Sequence, residues 1–238
     1  MHFDHFTLYF SESRVARYVK AADGSHSFAQ NLYKGNLMVS QAFHPLIGVL
    51  EVVLRNRLND VIADHFKDDK WLLNQRNGFM ADPSLIFVHK KSHSQTMNDF
   101  LKKDVTNAEK RIKKTKASVS IGKIVAELTF GFWTELFEVH HYKLLFGRPI
   151  QVFPALPPGF GRKEVKDTLD FIRRFRNRIN HNEPVCFNNE IVDFTYALKV
   201  HASILNVLSW IDPQLLIFVS DVDQVETAIN VITRNTDL

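Results

Sequence analysis

Apolar residues recur along most of this chain at three- and four-residue spacings, and strand-like alternation is nearly absent, so helices are predicted almost throughout. Ser11 is placed to cap a first helix with Val15, Tyr18 and Val19 on one side. A second runs from about Ser27 to Ala42 and ends before His44-Pro45; Pro45 suits the first turn of a third. In that third helix Leu46, Ile47, Leu50, Val53, Leu54, Leu58, Val61 and Ile62 form the apolar stripe.

Asp68 to Ser92 is polar, broken by Gly78 and Pro83, and reads as loop with short helical pieces around Trp71-Leu72-Leu73. Ser94 to Lys116 reads as a charged helix burying Met97, Phe100, Leu101 and Val105. Gly122 to Phe137 reads as another, with Phe130 to Trp133 in the core. Arg148 to Gly161 is rich in Pro and Gly and reads as a loop. A helix resumes at Arg162 with Val165, Leu169, Ile172 and Ile179 in register, bounded by Pro184. Glu190 to Ile211 is the next, using Ile191, Phe194, Leu198, Leu205 and Leu208. Asp212-Pro213 stops it, Leu215 to Val219 reads either as helix or as strand, and a last short helix falls within Val222 to Arg234. The expected fold is all-α, a single domain over residues 1–238 with the loop at about 148–161 internal to it.

Composition adds little to that picture and removes some alternatives. Hydrophobic residues make up 45% and charged residues 24%, the balance of a globular protein rather than a disordered or fibrous one. Cys186 is the single cysteine, which rules out an internal disulfide. The first ten residues lack the basic start and apolar middle of a signal peptide. The apolar region from Tyr196 to Val219 is interrupted by Lys199, Asp212 and Pro213, whereas a membrane span needs about 20 apolar residues in a row. A cytoplasmic protein without membrane attachment is expected. A formal charge of +4 is compatible with a nucleic-acid partner without indicating one.

The chemistry concentrates between Phe171 and Val185, FIRRFRNRINHNEPV. Arg176 and His181 form an R-x4-H pair, Asn177 follows the arginine, and Asn182-Glu183-Pro184 follows the histidine. Such a spacing is weak by itself, but this one closes a long amphipathic helix. With the blocks Leu50-Glu51-Val52-Val53-Leu54-Arg55-Asn56-Arg57 and Ala126-Glu127-Leu128-Thr129-Phe130-Gly131-Phe132-Trp133, it resembles the abortive-infection (Abi-like) proteins of the HEPN superfamily, in the same order along the chain. The resemblance implies a HEPN-like helical bundle with additional helices, homodimerisation, and metal-independent ribonuclease activity as a toxin or antiphage effector, with Arg176, Asn177 and His181 catalytic. It also implies control by an antitoxin, protein or RNA. In some HEPN toxins a Tyr two residues after the histidine is modified, and Glu183 occupies that place here.

Elementary chemistry agrees with that expectation. RNA can be cut without metal or cofactor when its own 2′-OH attacks the adjacent phosphorus. One proton must then be removed and another delivered to the leaving 5′-oxygen. A histidine suits either transfer, and an arginine fork suits the phosphorane oxygens. One histidine cannot be acid and base at once, so two copies are expected. Geometry adds a constraint: five residues advance about 140° beyond a full turn, so Arg176 and His181 converge only if the helix loosens before Pro184 or across a dimer.

Arg55-Asn56-Arg57-Leu58-Asn59 nearly repeats Arg176-Asn177-Arg178-Ile179-Asn180, with Asp60 in the histidine slot. Glu51, Arg55 and Asn56 are therefore expected to support the site, although a plain Glu51–Arg55 pair on one helix face explains them equally well. Lys110, Arg111, Lys113 and Lys114, with Arg173 and Arg174 on the motif helix, are candidate phosphate contacts, against the ordinary alternative of a solvated charged face. His140-His141 lacks partners at metal-ligand spacing, so no metal is expected. The competing functional class is a non-catalytic HEPN module that binds RNA, a nucleotide or a protein partner.

Overall fold

The computed structural model describes residues 1–88 and 93–235 of the chain, and these are predominantly helical. In chain order the elements are α1 (Phe3–Phe10), α2 (Glu12–Ala21), α3 (His26–Phe66), α4 (Trp71–Asn74), β1 (Ile86–Val88), β2 (Gln95–Met97), α5 (Phe100–Lys114), α6 (Ile121–Glu127), α7 (Phe130–Glu135) and α8 (Val139–Leu144). They continue with α9 (Arg162–Asn180), β3 (Phe187–Asn188), β4 (Ile191–Val192), α10 (Thr195–Ile211), α11 (Gln214–Ser220) and α12 (Val225–Asn235). The strands form two antiparallel hairpins, Ile86 opposite Met97 and Phe187 opposite Val192. The fold is all-α.

Several boundaries differ from expectation. Residues 26–66 form one helix straight through Pro45 rather than two. Pro45 is exposed, whereas Val39, Phe43, Leu46 and Leu50 on either side of it are fully buried, so continuous burial outweighs one missing backbone hydrogen bond. By length and composition alone α3 would also suit a bilayer, and a third of its most apolar stretch is buried within the protein. Ser11 occupies the position before α2, but its hydroxyl makes no capping bond. The segment before α5 is a hairpin strand, which leaves Met97 only half-buried and Phe100 exposed. The predicted helix Gly122–Phe137 is broken in two, because Thr129 starts α7 by accepting the Phe132 N–H on its hydroxyl. Likewise α10 begins at Thr195, where the Asp193 carboxylate accepts the Thr195 N–H at 2.7 Å, and Ile191 lies exposed in β4. Residues 215–219 are helical. Positions 89–92 of the predicted loop lie outside the described residues.

The chain divides into two compact units, residues 1–49, 171–209 and 213–235, and residues 50–170 with 210–212. The first is built on aromatic contacts. Tyr33 of α3 meets Phe6 and Phe10 of α1 and Tyr18 of α2, and Tyr18 in turn packs against Phe187 of β3. Further along α3, Phe43 meets Phe175 of α9, which packs on Tyr196 of α10. Buried His201 of α10 is held at 2.6 Å by Asp223, just before α12.

In the second unit, the Trp71 indole N–H donates to Asn59 at 3.1 Å and its ring lies by Phe79 and Phe132. Residues 148–161 are inside this unit, anchored where the Ala155 N–H meets the Trp210 carbonyl at 3.0 Å and where Phe153 and Phe160 flank the Trp210 ring. The nearly buried Lys166 ammonium lies between Asp170 and Glu138, and that pairing raises its pKa above the usual lysine range against the opposing effect of burial.

Gly35 of α3 faces Ile232 of α12: a Cβ there would lie 2.8 Å from Ile232 Cγ1. Gly48, on the same helix, faces open space. Gly35→Ala should therefore lose about 1–3 kcal/mol to overpacking, more than its gain in helix propensity, while Gly48→Ala should gain up to about 1 kcal/mol. Urea denaturation midpoints that move in opposite directions would bear this out.

Candidate functional site

The motif segment lies in the first unit and ends α9 in a well-defined way. The His181 N–H still donates to the Asn177 carbonyl at 3.0 Å, so the helix remains regular through the whole R-x4-H interval. Asn182 then turns left-handed at φ 54°, its N–H reaching the Ile179 carbonyl and the Glu183 N–H reaching the Arg178 carbonyl at 2.8 Å. This is the two-bond helix stop that asparagine supports at the first residue past a helix, and Pro184 prevents continuation.

Three side chains hold that stop. Buried Asn36 of α3 accepts the Val185 N–H at 2.7 Å. Arg14 of α2 donates to the Asn182 carbonyl at 2.9 Å, and Arg178 donates to the Pro184 carbonyl while lying 3.5 Å from the Glu183 carboxylate. None of the three was a sequence candidate. Asn182 followed by Pro184 carried a legible stop signal, whereas Asn36 and Arg14 are distant in sequence and have no local signature.

Because α9 does not loosen, Arg176 and His181 leave a regular helix about 140° apart and do not share a face within one chain. Arg176 is half-buried. Its Nη1 lies 3.4 Å from the Asn177 amide oxygen. With the Asn180 amide turned so that its oxygen faces the guanidinium, Nη1 and Nε donate to it at 3.0 and 3.3 Å. Asn177 is exposed, and so is His181, whose imidazole makes no hydrogen bond, ion pair or ring contact among the described residues. The site thus offers an unencumbered proton carrier at a fixed helix end and an arginine steadied one turn before it. Cys186, five residues on, is no nucleophile: it is fully buried, and that burial pushes its thiol up to about 12.

The other candidates are dispersed. Glu51, Arg55 and Asn56 belong to the second unit, where Arg55 Nη1 reaches the Ala126 carbonyl at 3.5 Å and Asn56 is exposed. The two echoed segments have different local partners. Asn180 can hold Arg176, whereas Asn59 takes the Trp71 indole and Arg57 pairs with Asp60 at 3.4 Å. On α5, Arg111 is bound to Glu127 at 2.8 Å and Lys113 to Glu109 at 2.7 Å, so half of that basic run is already neutralised. Lys110 and Lys114 are exposed without ion pairs among the described residues, as is Arg174 on α9, while Arg173 is half-buried. Of the adjacent histidines, His141 is fully buried 3.4 Å from Glu135 and His140 is exposed. Among the described residues no three His, Cys, Asp or Glu side chains converge in a metal-binding group.

Against known proteins the chain matches no family model, no curated protein and no solved structure.

Asn36→Ala would strand the Val185 N–H in a buried position, at a cost of about 1–3 kcal/mol. Amide exchange at Val185 should accelerate with that loss, while amides in the middle of α10 slow to exchange in the native protein keep their order of protection.

Proposed function

We propose that this protein is a metal-independent endoribonuclease of the HEPN type, acting as an antiphage or toxin effector in the cytoplasm, with Arg176, Asn177 and His181 as its chemistry. The observation that carries the reading is the state of His181: an exposed imidazole without a competing partner, fixed by a rigid helix stop, with an arginine held one turn earlier. A histidine so placed can take the proton of a substrate 2′-OH as that oxygen attacks phosphorus and the bond from phosphorus to the 5′-oxygen breaks. The leaving 5′-oxygen then needs a proton from a second acid. The regular helix keeps Arg176 and His181 of one chain apart, which supports a working site assembled from two copies, each His181 serving one proton transfer. Arg176 would neutralise charge on the phosphorane, and Asn177 would hold a phosphate oxygen or orient a histidine. Such an activity requires restraint, for which an antitoxin, protein or RNA, is the natural partner.

One observation favours a second reading. With the Asn180 amide so turned, the Arg176 fork is occupied by Asn180, as expected of a structural arginine in a non-catalytic HEPN module that binds RNA, a nucleotide or a partner protein.

Incubation with total cellular RNA in EDTA separates the two. The nuclease reading expects cuts ending in 2′,3′-cyclic phosphate, DNA left intact for want of a 2′-OH, and a loss of about 10²–10⁴-fold in His181→Ala with an unchanged fold. Cleavage that persists in His181→Ala, or RNA binding without cleavage by wild type in both resting and phage-infected lysate, would contradict it.

A further inference from the structure

Beside the motif's end, wholly within the first unit, lies an open groove of about 530 Å³. Its cations come from three separate elements: Arg17 of α2, Arg178 of α9 and Lys199 of α10. Two of them are preset. Arg17 lies over the Phe187 ring at 4.5 Å and donates to the Asn189 carbonyl, and Arg178 lies 5.7 Å from the Tyr196 ring centre and donates to the Pro184 carbonyl. Arg17 is thereby oriented with much of its donor inventory unspent, whereas the buried Nε of Arg178 faces the Glu183 carboxylate at 3.5 Å, which makes Arg178 the weaker of the two phosphate partners. Lys199 is exposed and has no ion pair among the described residues.

The single acid in the lining, Asp193, is already engaged by the Thr195 N–H at 2.7 Å and by the Asn188 amide at 3.3 Å. The lining therefore carries a surplus of positive charge with fork-shaped donors, the chemistry of a phosphate site. Beside those cations are Tyr196, a half-buried ring braced edge-on by Phe171 and Phe175, and the exposed amides of Asn188 and Asn189 on the β3–β4 turn. A flat ring with amides nearby suits a nucleobase, stacked on one side and read at its edge. The volume lies within the range of about 300–1,000 Å³ usual for small-ligand sites. A larger cavity of about 630 Å³ in the second unit is lined by Asp60, Asp64, Asp68 and Asp69 against Lys67 and Lys70, a net-negative lining less suited to the same ligand.

We propose that this groove binds a nucleoside phosphate, with phosphate on Arg17, Arg178 and Lys199 and the base on Tyr196, supplied as a free nucleotide or as one nucleotide of a single-stranded RNA. Neither Arg176 nor His181 lines the groove, and the proposal does not depend on the cleavage reading.

The test titrates the full chain with adenosine 5′-monophosphate by calorimetry and with a short 3′-fluorescein-labelled single-stranded RNA by anisotropy. Lys199→Glu is the clean variant, since Lys199 holds nothing in the fold; Arg17→Gln is the second, with its fold checked by circular dichroism. Each should bind about tenfold more weakly. For RNA, the slope of log K against log salt should also flatten by about 0.7 in each variant. Saturation by the mononucleotide identifies a free nucleotide as the ligand, and binding of RNA alone identifies the strand; either upholds the site. No binding of either probe, or wild-type affinity in both variants, overturns it. Cleavage scored in the same preparations reports on the nuclease reading separately.

Discussion

A single buried hydrogen bond, from the Val185 N–H to the Asn36 side chain, determines much of what the motif can do. With the left-handed turn at Asn182 and the Arg14 contact to its carbonyl, it fixes the chain just past α9 and keeps the helix regular as far as His181. A looser end would let His181 swing toward Arg176 on its own helix. A fixed end holds them apart and leaves the imidazole in solvent. The same turn also shapes the groove, because Arg178 binds the Pro184 carbonyl from a position beside Tyr196.

The basic side chains differ in what already binds them rather than in number. Along α5 the charged run has the look of a phosphate track, but Arg111 and Lys113 spend their charge on Glu127 and Glu109. Near the motif, Arg17 binds a carbonyl oxygen and lies by an aromatic ring, contacts that orient a guanidinium without cancelling it, and Arg178 does the same with only the exposed Glu183 carboxylate at 3.5 Å. A cation held this way loses little freedom when an anion arrives, so the groove is better prepared for phosphate than the more densely charged helix.

Helical periodicity conveyed most of the fold, because buried stripes such as Leu46, Leu50, Leu54 and Leu58 follow from local spacing. The breaks were harder to read. Pro45 carries a strong stop signal, yet it sits on the exposed side of a helix whose burial continues past it. Thr129 looks like an ordinary helix-interior residue until its hydroxyl caps α7, and Asp193 ends a hairpin that has only two paired residues per strand. At the candidate site, Arg176, Asn177 and His181 were visible as a motif, and the helix geometry that separates them followed from residue counting. Asn36, Arg14 and Arg17 were not visible, since each acts on a segment more than a hundred residues away in sequence, and only the tertiary fold brings them there.

The central claim is that one chain supplies Arg176 and His181 on different faces of a rigid helix end, so that chemistry needs two copies. It is tested most directly by letting wild-type protein exchange subunits with a growing excess of His181→Ala protein. Because each His181 serves one proton transfer, a mixed dimer lacks one of the two, and EDTA-resistant cleavage with cyclic-phosphate ends should fall as the square of the wild-type fraction. Activity that falls only in proportion to the wild-type fraction, or a wild-type protein that cleaves as a strict monomer, would contradict the account.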